Sequence, residues 1–144
     1  MLYWDTSTLI KLYAEEFDSG EWENLAVRSG VALRTSALTD AEMAFALRQK
    51  EMRNEISGGS AAALHKIFRA DVKAGRIRLF PLGNAVIEEA VRMSVGTNEA
   101  SPPLRTLDGL HLATARVADC GGVATADKRM RAAAKAAGFR IVDP

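Results

Sequence analysis

The 144-residue sequence is poor in the residues that usually carry covalent or histidine chemistry. It has one cysteine, Cys120, so no internal disulfide can form, and the usage fits a reducing compartment. Cys120 stands in an Ala/Val-rich neighbourhood and reads as a small buried apolar residue, not a nucleophile. The two histidines, His65 and His111, lie far apart, which argues against a histidine-built metal centre and leaves a site of oxygen ligands open. An excess of either charge is also missing. Nineteen Lys and Arg face eighteen Asp and Glu, a net charge of +1, so any polyanion site must be a local patch. No apolar run approaches membrane-spanning length. Met1–Asp5 has neither the basic region nor the apolar core of a signal peptide. These absences lead us to expect a soluble, cytoplasmic protein with no membrane contact. An apolar fraction of 48% argues against disorder, and the length suits one ordinary domain over 1–144.

Periodicity divides that domain into alternating strands and helices. Met1–Trp4 reads as a buried strand that stops at Asp5, where Asp5-Thr-Ser-Thr8 starts a helix running through Tyr13. Residues 20–27 form a short helix with Trp22, Leu25 and Ala26 inward, and 31–36 a second strand. Residues 37–52 form a strong helix whose apolar side is Leu38, Ala41, Phe45 and Leu47. After a Gly-rich loop, 61–74 is amphipathic, with Leu64, Ile67, Phe68 and Val72. Residues 76–82 form a third strand and 85–95 a helix, and 96–103 is a polar loop. A helix over 104–118, started by Pro102 and Pro103, leads to a strand at 121–126. A helix over 128–137, with Gly138 just past its end, leads to a last strand at 139–142. This alternation predicts an α/β fold: a three-layer α/β/α sandwich on a central, mostly parallel sheet of four to five strands.

Four carboxylates stand out against that frame. On the 104–118 helix, Leu104, Leu107, His111, Leu112 and Ala115 recur at helical spacing, and Asp108 falls on the same face. A carboxylate on an apolar stripe must be hydrogen-bonded, paired or bound to a cation, unless the helix starts late and Asp108 caps it. Asp5 follows the first strand and Asp127 the fourth. If those strands are neighbours, the two carboxylates meet at the edge where open α/β sheets bind ligands, although helix caps also lie there. Glu42 borders an inward helix face, yet Thr39-Asp-Ala-Glu42 also fits a capping box. Converging carboxylates repel each other, and a hard divalent cation, Mg²⁺ with Mn²⁺ as substitute, relieves that conflict. Such an ion is a phosphoryl-transfer tool.

These residues resemble a known family. Trp4-Asp5-Thr-Ser-Thr-Leu-Ile-Lys-Leu-Tyr13 resembles the opening of PIN-domain proteins. Leu104-Arg-Thr-Leu-Asp108-Gly-Leu-His-Leu-Ala-Thr-Ala115 is similar to their third acidic motif in the version of VapC-type toxins. The stretch from Thr125 through Asp127 to Gly138 resembles the fourth, and Ser36-Ala-Leu-Thr-Asp-Ala-Glu42 the second. Gly109 departs from the pattern, since a small Ala is more familiar there. The resemblance implies a metal-dependent endoribonuclease inhibited by an antitoxin, with Asp5, Glu42, Asp108 and Asp127 as the acidic site. Asp5, Asp108 and Asp127 are then the more direct metal ligands, while Glu42 binds a second ion or orients water. Thr6, Ser7 and Thr125 either contact metal waters or the scissile phosphate or serve as local caps. Metal-activated water, not a side chain, is the nucleophile.

The remaining polar residues keep two readings each. Lys11 meets substrate phosphate or is a solvated lysine. His111 reads as a packed, hydrogen-bonded structural histidine. Arg48, Lys50 and Arg53, and Lys128, Arg129 and Arg131, are the candidate phosphate contacts. Apolar residues at Leu9–Tyr13, Leu25–Ala26 and 61–72 suggest a homodimer. Two rival functions share the acidic α/β pattern: an Mg²⁺-binding phosphoacceptor signalling domain, and a catalytically idle module of the same fold that binds RNA or a partner. Asp5 comes too early for the usual acidic partners of a phosphoacceptor to precede it.

Overall fold

The structure, a computed structural model, describes residues 1–95 and 104–144. The expected polar loop at 96–103, with Pro102 and Pro103, lies outside the described residues. The elements run β1 (Leu2–Trp4), α1 (Thr6–Leu9) with a 3-10 turn at Ile10–Leu12, α2 (Ser19–Ser29), β2 (Leu33–Ser36), α3 (Leu38–Met52) and α4 (Ser60–Lys73). They continue with β3 (Ile77–Phe80), α5 (Asn84–Val95), α6 (Thr106–Val117), β4 (Gly122–Ala124), α7 (Lys128–Ala136) and β5 (Arg140–Val142).

The five strands form one sheet in the order β3-β2-β1-β4-β5, and every neighbouring pair is parallel. Parallel neighbours need crossover connections, which the helices supply, so the expected layered sandwich is what forms. The chain starts at the centre of the sheet, builds outward through β2 to β3, then returns to the other side of β1 with β4. That reversal creates a switch point between β1 and β4, beyond whose carboxyl ends such sheets leave a crevice.

Alternation along β1 separates two cores. Trp4 faces the layer of α2, α3 and α4 and packs with Trp22, Met43, Leu47 and Phe68. Tyr3 faces the opposite layer with Leu112 and Ala115 of α6 and Met130 and Ala134 of α7. Helix α6 is buried on nearly every side from His111 through Ala115, because α5 covers the flank that the sheet does not. Gly138 takes a left-handed φ of 82° just after α7, as a residue past a helix end should. Cys120 is buried, and burial pushes its thiol pKa up. Among the described residues no helix is long and apolar enough to cross a membrane.

Several expected faces are rotated. The inner stripe of α3 is Thr39, Met43 and Leu47, while Phe45 is 72% exposed and Ala41 also lies outside. The stripe starts with a threonine whose hydroxyl is bonded to Thr35 Oγ1 at 2.7 Å, and this polar start disguises its phase. Helix α6 begins at Thr106, two residues later than expected; His111, Leu112 and Ala115 of its expected stripe are buried, while Leu107 in the first turn is exposed. Ile67 of α4 is also exposed. The apolar surface expected at Leu9–Tyr13 is absent, since Leu9 and Ile10 belong to the core. In urea unfolding, Met43→Ala should cost about 2–5 kcal/mol. Phe45→Ala should stay within about 0.5 kcal/mol of wild type. A larger loss for Phe45→Ala than for Met43→Ala would contradict this placement.

Candidate functional site at the carboxyl edge of the sheet

The pairing of Trp4 with Ala124 brings the ends of β1 and β4 side by side, and the Asp5 N–H donates to Ala124 O at 3.0 Å. Asp5 is only 7% exposed. Its Oδ2 accepts from Ser7 Oγ at 2.6 Å and from Thr125 Oγ1 at 2.8 Å. The carboxylate makes no bond to the backbone of α1; the Asp5 carbonyl instead accepts from Thr8 and Leu9. The capping explanation of the Asp5 side chain therefore fails. Ser7 Oγ also accepts from the Ala126 N–H, and Thr125 Oγ1 from the Asp127 N–H, so the two hydroxyls tie the β1 and β4 ends together.

Asp127 is a helix cap. Its Oδ1 accepts from the N–H groups of Arg129 at 2.6 Å and Met130 at 3.2 Å. Glu42 is not part of a capping box, because α3 already begins at Leu38 and Thr39 lies within it. Its Oε2 accepts instead from Thr6 Oγ1 and from His111 Nε2, the latter at 2.8 Å. Asp108 is the third residue of α6, so it is not the cap either, and it has no hydrogen-bond partner among the described residues. Three of the four acids thus share one arrangement. Two protein donors converge on a single oxygen of Asp5, Glu42 and Asp127, and the second oxygen of each has no protein partner among the described residues.

The acids feel each other. Partial burial raises the Asp108 pKa, and the negative charges of Asp127 and Asp5 raise it further against the opposing Arg105 and Arg129. Burial would raise Glu42 too, but the hydrogen bonds from His111 and Thr6 outweigh it and hold the carboxyl below its ordinary value. His111 is 3% exposed, with Nδ1 2.6 Å from the Tyr3 hydroxyl. Burial pulls its pKa down, and the Glu42 hydrogen bond with the charges of Asp5, Glu42 and Asp108 carries it above the usual histidine value. The expected packed, hydrogen-bonded histidine is therefore present, with a site carboxylate as its partner. Among the described residues no three His, Cys, Asp or Glu side chains close into a group that could hold a metal ion. The donors have the hard-oxygen chemistry that suits Mg²⁺ or Mn²⁺.

The cations sort differently from expectation. Lys11 is largely buried, and its ammonium is taken up by Glu16 at 2.7 Å and Asp18 at 2.5 Å. Lys50 is held by Glu16 and Glu55, Arg48 by Glu51 and Arg131 by Asp143. Arg105, Lys128 and Arg129 have no carboxylate partner among the described residues, and Arg53 has only Glu55 at 3.9 Å. A cleft of about 370 Å³ runs from Ser7 and Asp127 across Ile10 and Ala46 to Gln49 and Arg53. Sequence reasoning missed Arg105 and Tyr3. Arg105 carried a usable signal, lying one helical turn before Asp108.

The fold agrees with known proteins. The sequence model of the PIN domain matches residues 2–136. Ribonuclease VapC35 of Mycobacterium tuberculosis is 31% identical over 151 residues, covering 100% of this chain and 97% of that protein. The chain belongs to the PIN-domain family, among its VapC-type members. The crystal structure of Mycobacterium tuberculosis VapC20, a sarcin-ricin loop cleaving toxin, has the same fold. Its TM-score is 0.71 at 21% identity, with 100% of both chains covered. FitAB bound to an IR36 DNA fragment gives a TM-score of 0.68 at 21% identity, covering 99% of this chain and 94% of that one.

The electrostatics of Asp108 give a stability prediction with a definite sign. A carboxyl whose folded pKa is raised binds its proton more tightly when folded, so its ionisation destabilises the native state. Asp108→Asn should therefore melt at the same temperature as metal-free wild type or higher at neutral pH. The gap should narrow as pH falls through the raised Asp108 pKa toward its ordinary 3.8. Melting curves in EDTA across pH check this, and a mutant that melts lower at neutral pH would overturn it.

Proposed function

We propose that this chain is the toxin of a toxin–antitoxin pair, an endoribonuclease that hydrolyses RNA phosphodiester bonds with the help of a divalent cation. One observation carries the reading. Around the β1/β4 switch point, Asp5, Glu42 and Asp127 each have one oxygen fixed by two protein donors and the other without a protein partner among the described residues, beside an Asp108 that has no hydrogen-bond partner among them. A structural carboxylate uses its oxygens on the protein; these keep a set of hard donors in reserve. The likeness to VapC35, a ribonuclease, supports the reaction class, and VapC20, which shares the fold, is a toxin that cleaves the sarcin-ricin loop.

In this reading Asp5, Asp108 and Asp127 hold Mg²⁺ or Mn²⁺ most directly, and Glu42 orients water or holds a second ion. When bound, the cation makes water more acidic and neutralises charge on the phosphate as the leaving oxygen departs. Water adds to phosphorus in line, one P–O bond breaks, and the leaving oxygen takes up a proton. The unbonded carboxylate oxygens are the acceptors for protons of the attacking water. Thr6, Ser7 and Thr125 direct their protons to Glu42 and Asp5, so they brace the acids and do not contact phosphate. Arg105, Lys128 and Arg129 meet the phosphates of the RNA, and Lys11 builds the wall of the cleft. Ile87, Val91 and Val95 recur at four-residue intervals along α5 as exposed apolar positions, and we assign this stripe to a homodimer.

Asp5→Asn and Asp108→Asn should each abolish cleavage of RNA while the far-ultraviolet circular dichroism stays unchanged. Wild type should gain thermal stability in Mn²⁺, about 2.7 kcal/mol at a hundredfold excess over Kd, and Asp108→Asn much less. Cleavage by either mutant at the wild-type rate in saturating Mg²⁺, or a wild type indifferent to both metals and EDTA, would refute the assignment.

A further inference from the structure

Tyr3, His111 and Glu42 form one hydrogen-bonded line. The Tyr3 side chain is fully buried on the central strand, and its oxygen accepts the Ser36 N–H at 3.1 Å. That same oxygen stands 2.6 Å from His111 Nδ1, and His111 Nε2 stands 2.8 Å from Glu42 Oε2. The end of the line fixes its polarity. A carboxylate only accepts, so Nε2 carries a proton and donates it. In the neutral ring, Nδ1 is then bare and accepts the Tyr3 O–H, whose lone pairs remain for Ser36. The two rings meet edge to face, with centroids 5.9 Å apart, so the imidazole is clamped on its flank as well. The line crosses the sheet edge, from α6 in one layer to α3 in the other.

The geometry points to His111 as a positioning residue for cleavage: backed by Tyr3, it pins Glu42 Oε2 and leaves Oε1 as the one Glu42 oxygen the acidic site can use. This rests on the reading of the acidic site given above. Without the imidazole, Glu42 keeps only Thr6 as a partner and is free to turn either oxygen toward the site. His111 itself touches neither RNA nor the reacting atoms; it acts through Glu42, as partners behind a metal-binding carboxylate do.

The test uses full-length protein carrying His111→Leu, His111→Gln, Tyr3→Phe, Tyr3→Phe with His111→Leu, and Glu42→Gln. Cleavage is followed by kcat and KM, and histidine ¹⁵N spectra are taken of the metal-free wild type. His111→Leu should lower kcat about 10–100-fold with KM changed less than about threefold. His111→Gln, which can offer an N–H near the Nε2 position, should recover most of the loss. Tyr3→Phe should lower kcat by itself and add nothing in the His111→Leu background, because its effect passes through the imidazole. In the metal-free spectrum, at a pH where the ring is neutral, Nε2 should be protonated and Nδ1 bare. Full kcat for His111→Leu while Glu42→Gln is inactive overturns the proposal, as do multiplicative losses from Tyr3→Phe and His111→Leu. If Glu42→Gln cleaves like wild type, the acidic-site reading fails instead, and the spectrum alone decides whether the line exists. A His111→Leu protein that does not fold leaves His111→Gln, Tyr3→Phe and the spectrum to decide.

Discussion

Parallel pairing of β1 with β4 places Trp4 opposite Ala124 and lets the Asp5 N–H reach the Ala124 carbonyl. Both strands are three residues long, so the register leaves little slack. A one-residue slip would send Tyr3 and Trp4 to the wrong cores and carry Thr125 away from Asp5. The rest of the edge follows from that register. Thr125 and Ser7 bond each other's neighbourhoods together, Asp127 starts α7 beside them, and α6 delivers Asp108 and His111 from above.

The site is built on a conflict that the protein restrains only in part. Asp108 bears the cost of this edge in a raised pKa, first through its partial burial and then through the charges of Asp127 and Asp5. The hydroxyls and N–H groups around Asp5, Glu42 and Asp127 reduce the conformational freedom of each carboxylate without neutralising it. Preorganisation of this kind lowers the ordering cost when a ligand arrives. Cations close by are treated in the opposite way: Lys11 and Lys50 are locked into pairs with Glu16, and the guanidinium groups of Arg105 and Arg129, without a carboxylate in salt-bridge contact among the described residues, act on Asp108.

Strand–helix alternation made the layered fold legible in the sequence, because short stretches rich in apolar residues, Leu2–Trp4 most clearly, lay between helical periods. The phase of individual helices was less legible. Thr39 begins the buried stripe of α3 as a hydroxyl satisfied by Thr35, and no hydrophobicity count sees such a partner. Phe45, which hydrophobicity would place inside, is exposed. Three of the acids stood out by position, since Asp5 and Asp127 follow strands and Asp108 breaks an apolar stripe, while Glu42 rested on its place beside an inward helix face and on the family resemblance. What each oxygen does could not be read. Asp5 and Asp127 both looked like caps, and only Asp127 is one, a difference decided by side-chain rotation. The pairing of Lys11 with Glu16 and Asp18 depends on the chain turning back after the 3-10 turn, which pattern alone does not reveal.

The central strand β1 precedes its partner β4 by most of the length of the sheet-forming chain. The hydrogen bond from Thr125 to Asp5 spans 120 residues of chain. Contacts of that separation form late, after most of the loop-closure entropy has been spent. A growing chain, emerging at about 5–20 residues per second, therefore carries Asp5 and Glu42 for several seconds before Asp127 exists to join them. During that interval β1 has one neighbour at most, and the acidic edge is half built.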